Sequence, residues 1–360
     1  MSLSVQSPST LDLSRAQAQR RTAELESDIA VDPSRFSVLS GDRPTGPLHL
    51  GHYLGTLRNR VRLQNLGVPI TLVIADYQVL TDRDTLGPVR ERVRGLTADY
   101  LAAGIDPERA VIFPHSAVPA LNQLMLPFLA LVTVAELERN PTVKAELQAG
   151  AGRPLSSLLL TYPVHQAADI LFCGATLVPV GRDQLPHVEQ TRVIARRFNQ
   201  RYGEVFTEPD ALLSAAPLIL GSDGEKMSKS RNNTVPLGAT ADETARLFRR
   251  FRTDGDPAIT FEPDRRPGIA NLLTIASTIA GRAPGVIADE LGSSGAGRLK
   301  QLVIDAVNAE LTPLRARRAE LLADPGYLDA VLTVGTARTR AVANDTLQRV
   351  RQAMGMDYLG

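Results

Sequence analysis

Two histidines stand three residues apart in Leu48-His49-Leu50-Gly51-His52-Tyr53-Leu54-Gly55. Each imidazole is able to donate a hydrogen bond to an oxygen whose charge grows during a reaction. Far along the chain, Lys226-Met227-Ser228-Lys229-Ser230 follows a Gly-Ser-Asp-Gly turn at 221–224. Two lysines and two serines on a turn suit a mobile clamp on phosphates. Between these stretches, Tyr162, Gln166 and Asp169 fall at i, i+4 and i+7 of a helical pattern, hence on one face, which suits an amino acid. Asp183 and Gln184 offer a carboxylate and an amide, partners for a ribose hydroxyl and an α-ammonium. Each feature alone has a plain alternative: surface histidines, a solvated basic loop, incidental polar residues on a helix turn.

The elements around them place these residues at one rim. A strand-like run at 36–40 meets a turn of Gly, Asp and Pro at 41–47. Helical spacing of Leu50, Tyr53, Leu54, Leu57, Val61 and Gln64 follows. His49 and His52 therefore sit where a strand becomes a helix, and the positive helix N-terminus suits a polyphosphate. Gly51, without a Cβ, is expected to let a flat ligand approach the backbone. Further strands are read at 68–75, 110–113 and 176–180, with helices at 84–103, at 118–138 and from about 185 to 202. This alternation predicts an α/β fold, a Rossmann-like parallel sheet with helices on both faces. Ligands of such sheets bind beyond the carboxyl ends of the strands. His49, Asp76, His115 and Asp183 all fall just past predicted strands.

After about 240 the strand signals fade, and helices are expected at 241–252, 268–281, 296–322 and 326–354. The organisation read from this is an N-terminal extension, partly disordered, at 1–34, a catalytic domain at 35–240 and an all-helical C-terminal domain at 241–360. A short helix is conceivable within 11–27. The last region balances basic against acidic residues, but arginines cluster at Arg246, Arg249, Arg250 and Arg252, at Arg315, Arg317 and Arg318, and at Arg338 and Arg340.

Composition narrows the class. A 43% hydrophobic and 22% charged chain of 360 residues is ordinary for a soluble protein of about two domains. No run approaches the ~18 apolar residues of a membrane helix, and no secretory layout opens the chain. The single cysteine, Cys173, excludes internal disulfides and cysteine-rich zinc sites, and the five histidines add no metal-ligand spacing. A cytoplasmic location is expected. A net charge of +1 leaves nucleic-acid binding to local patches.

The order His-x-Gly-His, then Lys-Met-Ser-Lys-Ser, resembles the class I aminoacyl-tRNA synthetases. The stretches at 100–107, 136–139, 162–169, 181–187 and 267–273, with Ser40-Gly41 and Pro44, narrow the resemblance to the tryptophanyl-tRNA synthetases across most of 36–355. That resemblance implies activation of L-tryptophan by ATP with Mg²⁺, release of pyrophosphate, transfer to tRNA(Trp), and a homodimer. It implies His49, His52, Lys226 and Lys229 as the catalytic groups. It assigns ATP to Arg43, Pro44, Thr45, Gly51, His52, Gly181, Arg182, Asp183, Ile219, Lys226, Met227, Ser228, Lys229 and Ser230. Asp169 becomes the reader of the indole N–H, Tyr162 and Gln184 hold the amino group, and Gln166 and Gln78 border the same pocket. The helical region becomes the anticodon-binding domain.

The chain departs from the family at three places. Gln78 stands where many members have His, Gln166 where Met is common, and Glu146 follows Lys144 where a second lysine is expected. Three other readings compete: the sister tyrosyl enzyme, a smaller nucleotidyltransferase with His-x-Gly-His, and a paralogue that kept the fold as a binding module. The helical region and the second lysine motif oppose the smaller enzyme. The intact histidines and lysines oppose the binding module.

Overall fold

The computed structural model describes residues 10–81, 87–144, 155–214 and 218–358, with all their side chains except those of 10–16, Arg182 and Ser230. The predicted roles of the Arg182 and Ser230 side chains, and Glu146, lie outside the described residues.

Five parallel strands form one sheet: Val38–Asp42 (β1), Ile70–Ile74 (β2), Ala110–Pro114 (β3), Leu177–Val180 (β4) and Asp210–Leu213 (β5). Their order is β3-β2-β1-β4-β5. Neighbouring strand residues alternate between two separate cores. Val38, Ile70, Leu72, Ile74, Ile112, Leu177 and Leu212 join one. Leu39, Val73, Phe113, Val178, Val180 and Leu213 join the other. A side-chain period of two thus gives the sheet two buried faces, as a parallel sheet requires. The strand at Asp210–Leu213 was not legible in the sequence, since Asp-Ala-Leu-Leu has no β-branched or aromatic residue.

Helices cover both faces and both edges. Thr10–Val31 (α1) lies along β5, with Leu25 and Ile29 fully buried and Thr22 Oγ1 accepting from Leu213 N at 3.0 Å. The short helix conceived within 11–27 is observed here as a longer one. Two leucine-class side chains one helical turn apart are enough to dock the helix on an otherwise open edge. The helix after β1 (α2) is α-helical at Leu50–His52 and Arg58–Leu66, with a π-helical turn at Tyr53–Leu57 between. Val89–Ala102 (α3) precedes β3. The helix expected at 118–138 is two, Ala120–Leu129 (α4) and Val134–Arg139 (α5), because Thr133 caps a new start and Glu136 closes the capping box. Ser157–Leu171 (α6) and Leu185–Tyr202 (α7) flank β4.

Beyond 240 come Ala241–Arg249 (α8), Pro267–Ala280 (α9), Pro284–Leu291 (α10), Gly295–Ala323 (α11) and Pro325–Ala353 (α12). The helix at 284–291 was not expected. These helices share the sheet's cores. Leu299 to Leu321 of α11 pack in the first core. Leu328 at one end of α12 joins that core, and Leu347 and Val350 at the other end join the second. So α12 crosses the β3 edge of the sheet. Gly335 marks the crossing, where a Cβ would stand 2.0 Å from the Ile112 carbonyl oxygen. Among the described residues no helix is long and apolar enough to cross a membrane.

Candidate active site

The sheet has its switch point between β1 and β4, since successive strands run outward from β1 on one side and resume beside it with β4. The two strands pair at Val38–Leu177 alone, whereas β1 pairs with β2 from Val38 to Asp42. Their carboxyl ends therefore leave a crevice, the usual ligand position in this fold.

Both lysine and histidine motifs converge there. Leu50 N donates to Val235 O at 2.9 Å, and Leu237 N donates to Leu48 O at 2.9 Å. His49 and Pro236 form the antiparallel bridge between these bonds. The segment after the lysine loop is thus paired to the histidine motif. Asn233, 3% exposed, organises the loop from inside. Its amide oxygen accepts from Ser228 N at 2.8 Å, and its amide nitrogen donates to Asp223 Oδ1 at 2.7 Å and to Lys226 O at 3.2 Å. Ile219 and Met227 are buried beneath the loop. Lys229 Nζ donates to Gly46 O at 2.7 Å, on the turn after β1. Lys226 Nζ faces Asp183 Oδ2 at 3.4 Å, on the turn after β4. One short loop thus reaches both sides of the crevice.

His49 caps α2 in an extended conformation and His52 lies in the first turn, with ring centroids 3.7 Å apart. His49 N donates to His52 Nδ1 at 3.3 Å. That bond makes Nδ1 an acceptor, so the His52 proton is on Nε2. Burial, then the charges of His52 and Lys229, push His49 down to about 3. Burial pushes His52 down to about 4, with Asp42 opposing and Lys229 assisting. At neutral pH the pair is uncharged and acts through N–H donors. His49 Nδ1 is buried with no hydrogen-bond partner. A Cβ at Gly51 would stand 3.1 Å from His49 Nδ1 and 3.5 Å from Met227 Cβ, so the glycine also admits the chain's own ring and loop. Arg43, Pro44 and Thr45 lie on the turn after β1, and Gly181 with Asp183 and Gln184 on the turn after β4. Gln184 Nε2 reaches Asp183 Oδ2 at 3.4 Å.

Beneath the histidines sits a layer that sequence reasoning missed. Asp42 Oδ2 accepts from Arg60 Nη1 at 2.6 Å and Tyr100 Oη at 2.8 Å. Burial raises the Asp42 carboxyl, but Arg60 more than offsets this and holds it below the usual range. Asp99 Oδ2 accepts from Leu48 N at 3.1 Å, and Asp99 Oδ1 from Arg318 Nε at 2.5 Å. No local signal marks these pairs, since their members are far apart in sequence.

The other side of the cleft is buried. Asp169 on α6 meets His115, just past β3, with Nδ1–Oδ1 at 2.7 Å and side chains 3% and 0% exposed. His165, one helical turn before Asp169, packs its ring 4.0 Å from that of His115 and bonds Asn122 Oδ1 through Nε2 at 3.0 Å. Tyr77 lies edge-on to His115. Tyr162 Oη and His187 Nε2 are 3.0 Å apart, joining α6 to α7. Burial pushes His187 down to about 4. Gln78 is buried with its Oε1 unpaired, and Gln166 is half-buried. His165 was missed as a site residue, although its i, i+4 spacing to Asp169 was on view.

The family model for class I tRNA synthetases of the W and Y type matches residues 32–312, and the chain belongs to that family. Within it, the tryptophan--tRNA ligase of Treponema pallidum is 43% identical over 336 residues, covering 89% of this chain and 96% of its own. The tryptophan--tRNA ligase of Clostridium longisporum is 40% identical over 335 residues, with 89% and 97% covered. The tryptophanyl-tRNA synthetase of Campylobacter jejuni, solved with ADP and tryptophan, superposes with a TM-score of 0.76 at 29% identity, covering 89% of this chain and 99% of that one.

Proposed function

We infer that this chain is a tryptophan--tRNA ligase. The tryptophan carboxylate attacks the α-phosphorus of ATP, pyrophosphate leaves, and the tryptophanyl group passes from the adenylate to tRNA(Trp). The observation that carries the site assignment is the single loop whose two lysines reach opposite sides of the β1/β4 crevice, above the two neutral histidines. No side chain is needed as a nucleophile. The site positions the reactants and stabilises charge moving onto the leaving pyrophosphate.

His52 Nε2–H and His49 donate to phosphate oxygens, and Lys226 and Lys229 neutralise the pyrophosphate. Release of Lys226 from Asp183 and Lys229 from Gly46 accompanies closure of 222–231 over ATP. Arg43, Pro44, Thr45, Gly181, Arg182, Asp183, Ile219, Met227, Ser228 and Ser230 border the nucleotide, with Gly51 beneath it. Asp169 accepts the indole N–H, Tyr162 and Gln184 hold the ammonium, and Gln166 and Gln78 border the ring. Mg²⁺ arrives on ATP, held by phosphate oxygens. The helical region 241–360 is the anticodon-binding part, the working unit is a homodimer, and the enzyme is cytoplasmic.

Amino-acid-dependent exchange of pyrophosphate into ATP tests the reading, run with each standard amino acid in turn. Tryptophan alone should support exchange. Exchange with tyrosine instead would make this the sister enzyme, and exchange with none would remove the activity.

A further inference from the structure

The His115–Asp169 contact has no place in the chemistry of ATP, and it is the most buried ion pair near the site. His115 is held from several elements. Asp76, past β2, accepts from Ser116 N at 2.9 Å and also bonds the Ser116 hydroxyl. Arg340 on α12 donates from Nε to Ala117 O at 2.7 Å. Tyr77 covers one side of the ring, His165 on α6 another, and Asn122 on α4 bonds His165. The turn carrying His115 is thus fixed to β2, α4, α6 and α12. Asp169 Oδ1 and both His115 nitrogens lack an in-line hydrogen bond, although Nδ1 and Oδ1 are 2.7 Å apart. The carboxylate contact is one of charge and position, not of a saturated N–H bond.

We propose that His115 is a positioning residue for tryptophan recognition, acting through Asp169: its ring, 2.7 Å from the carboxylate, keeps that group turned so that an oxygen accepts the indole N–H. This rests on the tryptophan reading above. Burial pushes His115 down, yet Asp169, with Asp76 assisting, holds it above its ordinary value. The neighbour His165 is pushed down by burial and by His115 to about 4, so it adds no competing charge at neutral pH.

The sign of the pH dependence follows. The imidazolium is present below the raised value and lost above it. Tryptophan binding should therefore weaken as pH rises through that raised value.

The test is pyrophosphate exchange with full-length protein, following the KM for tryptophan and for ATP against pH. In folded His115→Gln the KM for tryptophan should rise on the order of tenfold at neutral pH. The alkaline limb should vanish, and the KM for ATP and kcat should hardly move. An unchanged tryptophan KM with the limb intact overturns the proposal. So does an equal rise in both KM values, the sign of mere structural damage. Should the variant not fold, the wild type with benzothienylalanine, which has the indole shape without the N–H, decides instead. The limb should be absent with that analogue, and the same limb with both amino acids overturns the proposal. Absence of tryptophan-dependent exchange in the wild type is a different failure, that of the reading on which this one rests.

Discussion

The five histidines of this chain divide between the two ends of one cleft. At the end proposed for the nucleotide, His49 and His52 stand beside Lys229 and are pushed down to about 3 and about 4. At the end proposed for the amino acid, His115 is buried at least as deeply but faces Asp169 and moves the other way. Burial disfavours the charged ring at both ends; for His115 the Asp169 and Asp76 carboxylates outweigh it, whereas for His52 the opposing Asp42 does not. The same side chain is thus held neutral beside the lysine loop and shifted toward its charged form beside Asp169. The two ends also differ in how they are held. Backbone pairing of 48–50 with 235–237 fixes the nucleotide end and leaves Lys226 and Asp183 exposed. Buried side-chain contacts hold the other end.

The largest effect should come from breaking the buried end. Asp169→Ala should lose the preference for tryptophan over phenylalanine, by a factor that reaches about 10⁴–10⁵ in sites built on a hydrogen bond to the substrate. Indole offers one N–H donor and no acceptor, so a buried carboxylate is its fitting partner. Asp169→Asn, still an acceptor but uncharged, should lose part of it. The variant also leaves His115 buried without its partner, so folding must be checked by circular dichroism. A tryptophan-to-phenylalanine activation ratio equal to wild type in folded Asp169→Ala would show that Asp169 does not read the ring.

The exposed end should respond in rate, not in amino-acid affinity. His52→Ala should cost about 2.7–4 kcal/mol of transition-state stabilisation if its Nε2–H serves as an oxyanion donor. Lys226→Ala and Lys229→Ala should lower kcat for exchange while the KM for tryptophan stays near wild type. Unchanged turnover in both lysine variants would sink their assignment. A loss in His52→Ala that appears wholly in tryptophan binding would move that histidine to the other end of the cleft.

Stability against acid sharpens the same contrast. His49, His52, His165 and His187 are all held low, so below about pH 6.5 the unfolded chain binds protons that the folded chain refuses. Stability should fall as pH drops from 6.5 toward 4, by about 1 kcal/mol per such histidine between pH 7 and 5.5. His115 has the opposite sign: its contribution is full at low pH and is lost as pH rises through its raised value. Urea unfolding across that range checks this. The acid slope should steepen in His115→Gln, and a slope that flattens there would contradict the assignment of charge at the buried end.

What the sequence showed and hid follows the range of the interactions. Motif residues such as His49, His52, Lys226 and Lys229 announced themselves by local spacing. Alternating strands and helices announced the parallel sheet, apart from β5, whose residues lack strand character. Asp42 with Arg60 and Tyr100, and Asp99 with Arg318, are pairings across the fold, and no window of sequence contains both partners. His115 was visible at the rim, but its pairing with Asp169 depended on where α6 docks. The N-terminal helix was read only as a short stretch within 11–27 because of its many polar residues; among the described residues, Leu25, Ile29 and contacts of Arg21 and Thr22 help hold it to the sheet edge.

The smallest effects should lie farthest from both ends, on the arginines of the helical region. Arg315 and Arg318 belong to one of its arginine clusters. Arg318 is bound to buried Asp99, and Arg315 bonds Asn308 Oδ1 at 2.9 Å and Thr244 Oγ1 at 2.8 Å. They fasten α11 to α3 and α8, and Arg318 through Asp99 supports Leu48, the residue before His49. Arg318→Ala should therefore lower the melting temperature and slow exchange even with no tRNA present. Arg249 and Arg250 are exposed at the end of α8 and are the cleaner test. If they meet phosphates, charge reversal there should leave exchange intact, raise the KM for tRNA, and reduce the log–log salt slope by roughly one unit per lost contact. An unchanged tRNA KM and salt slope in the folded double variant would assign the tRNA to another face, while the division between a structural Arg318 and an exposed Arg249 would still be decided by exchange alone.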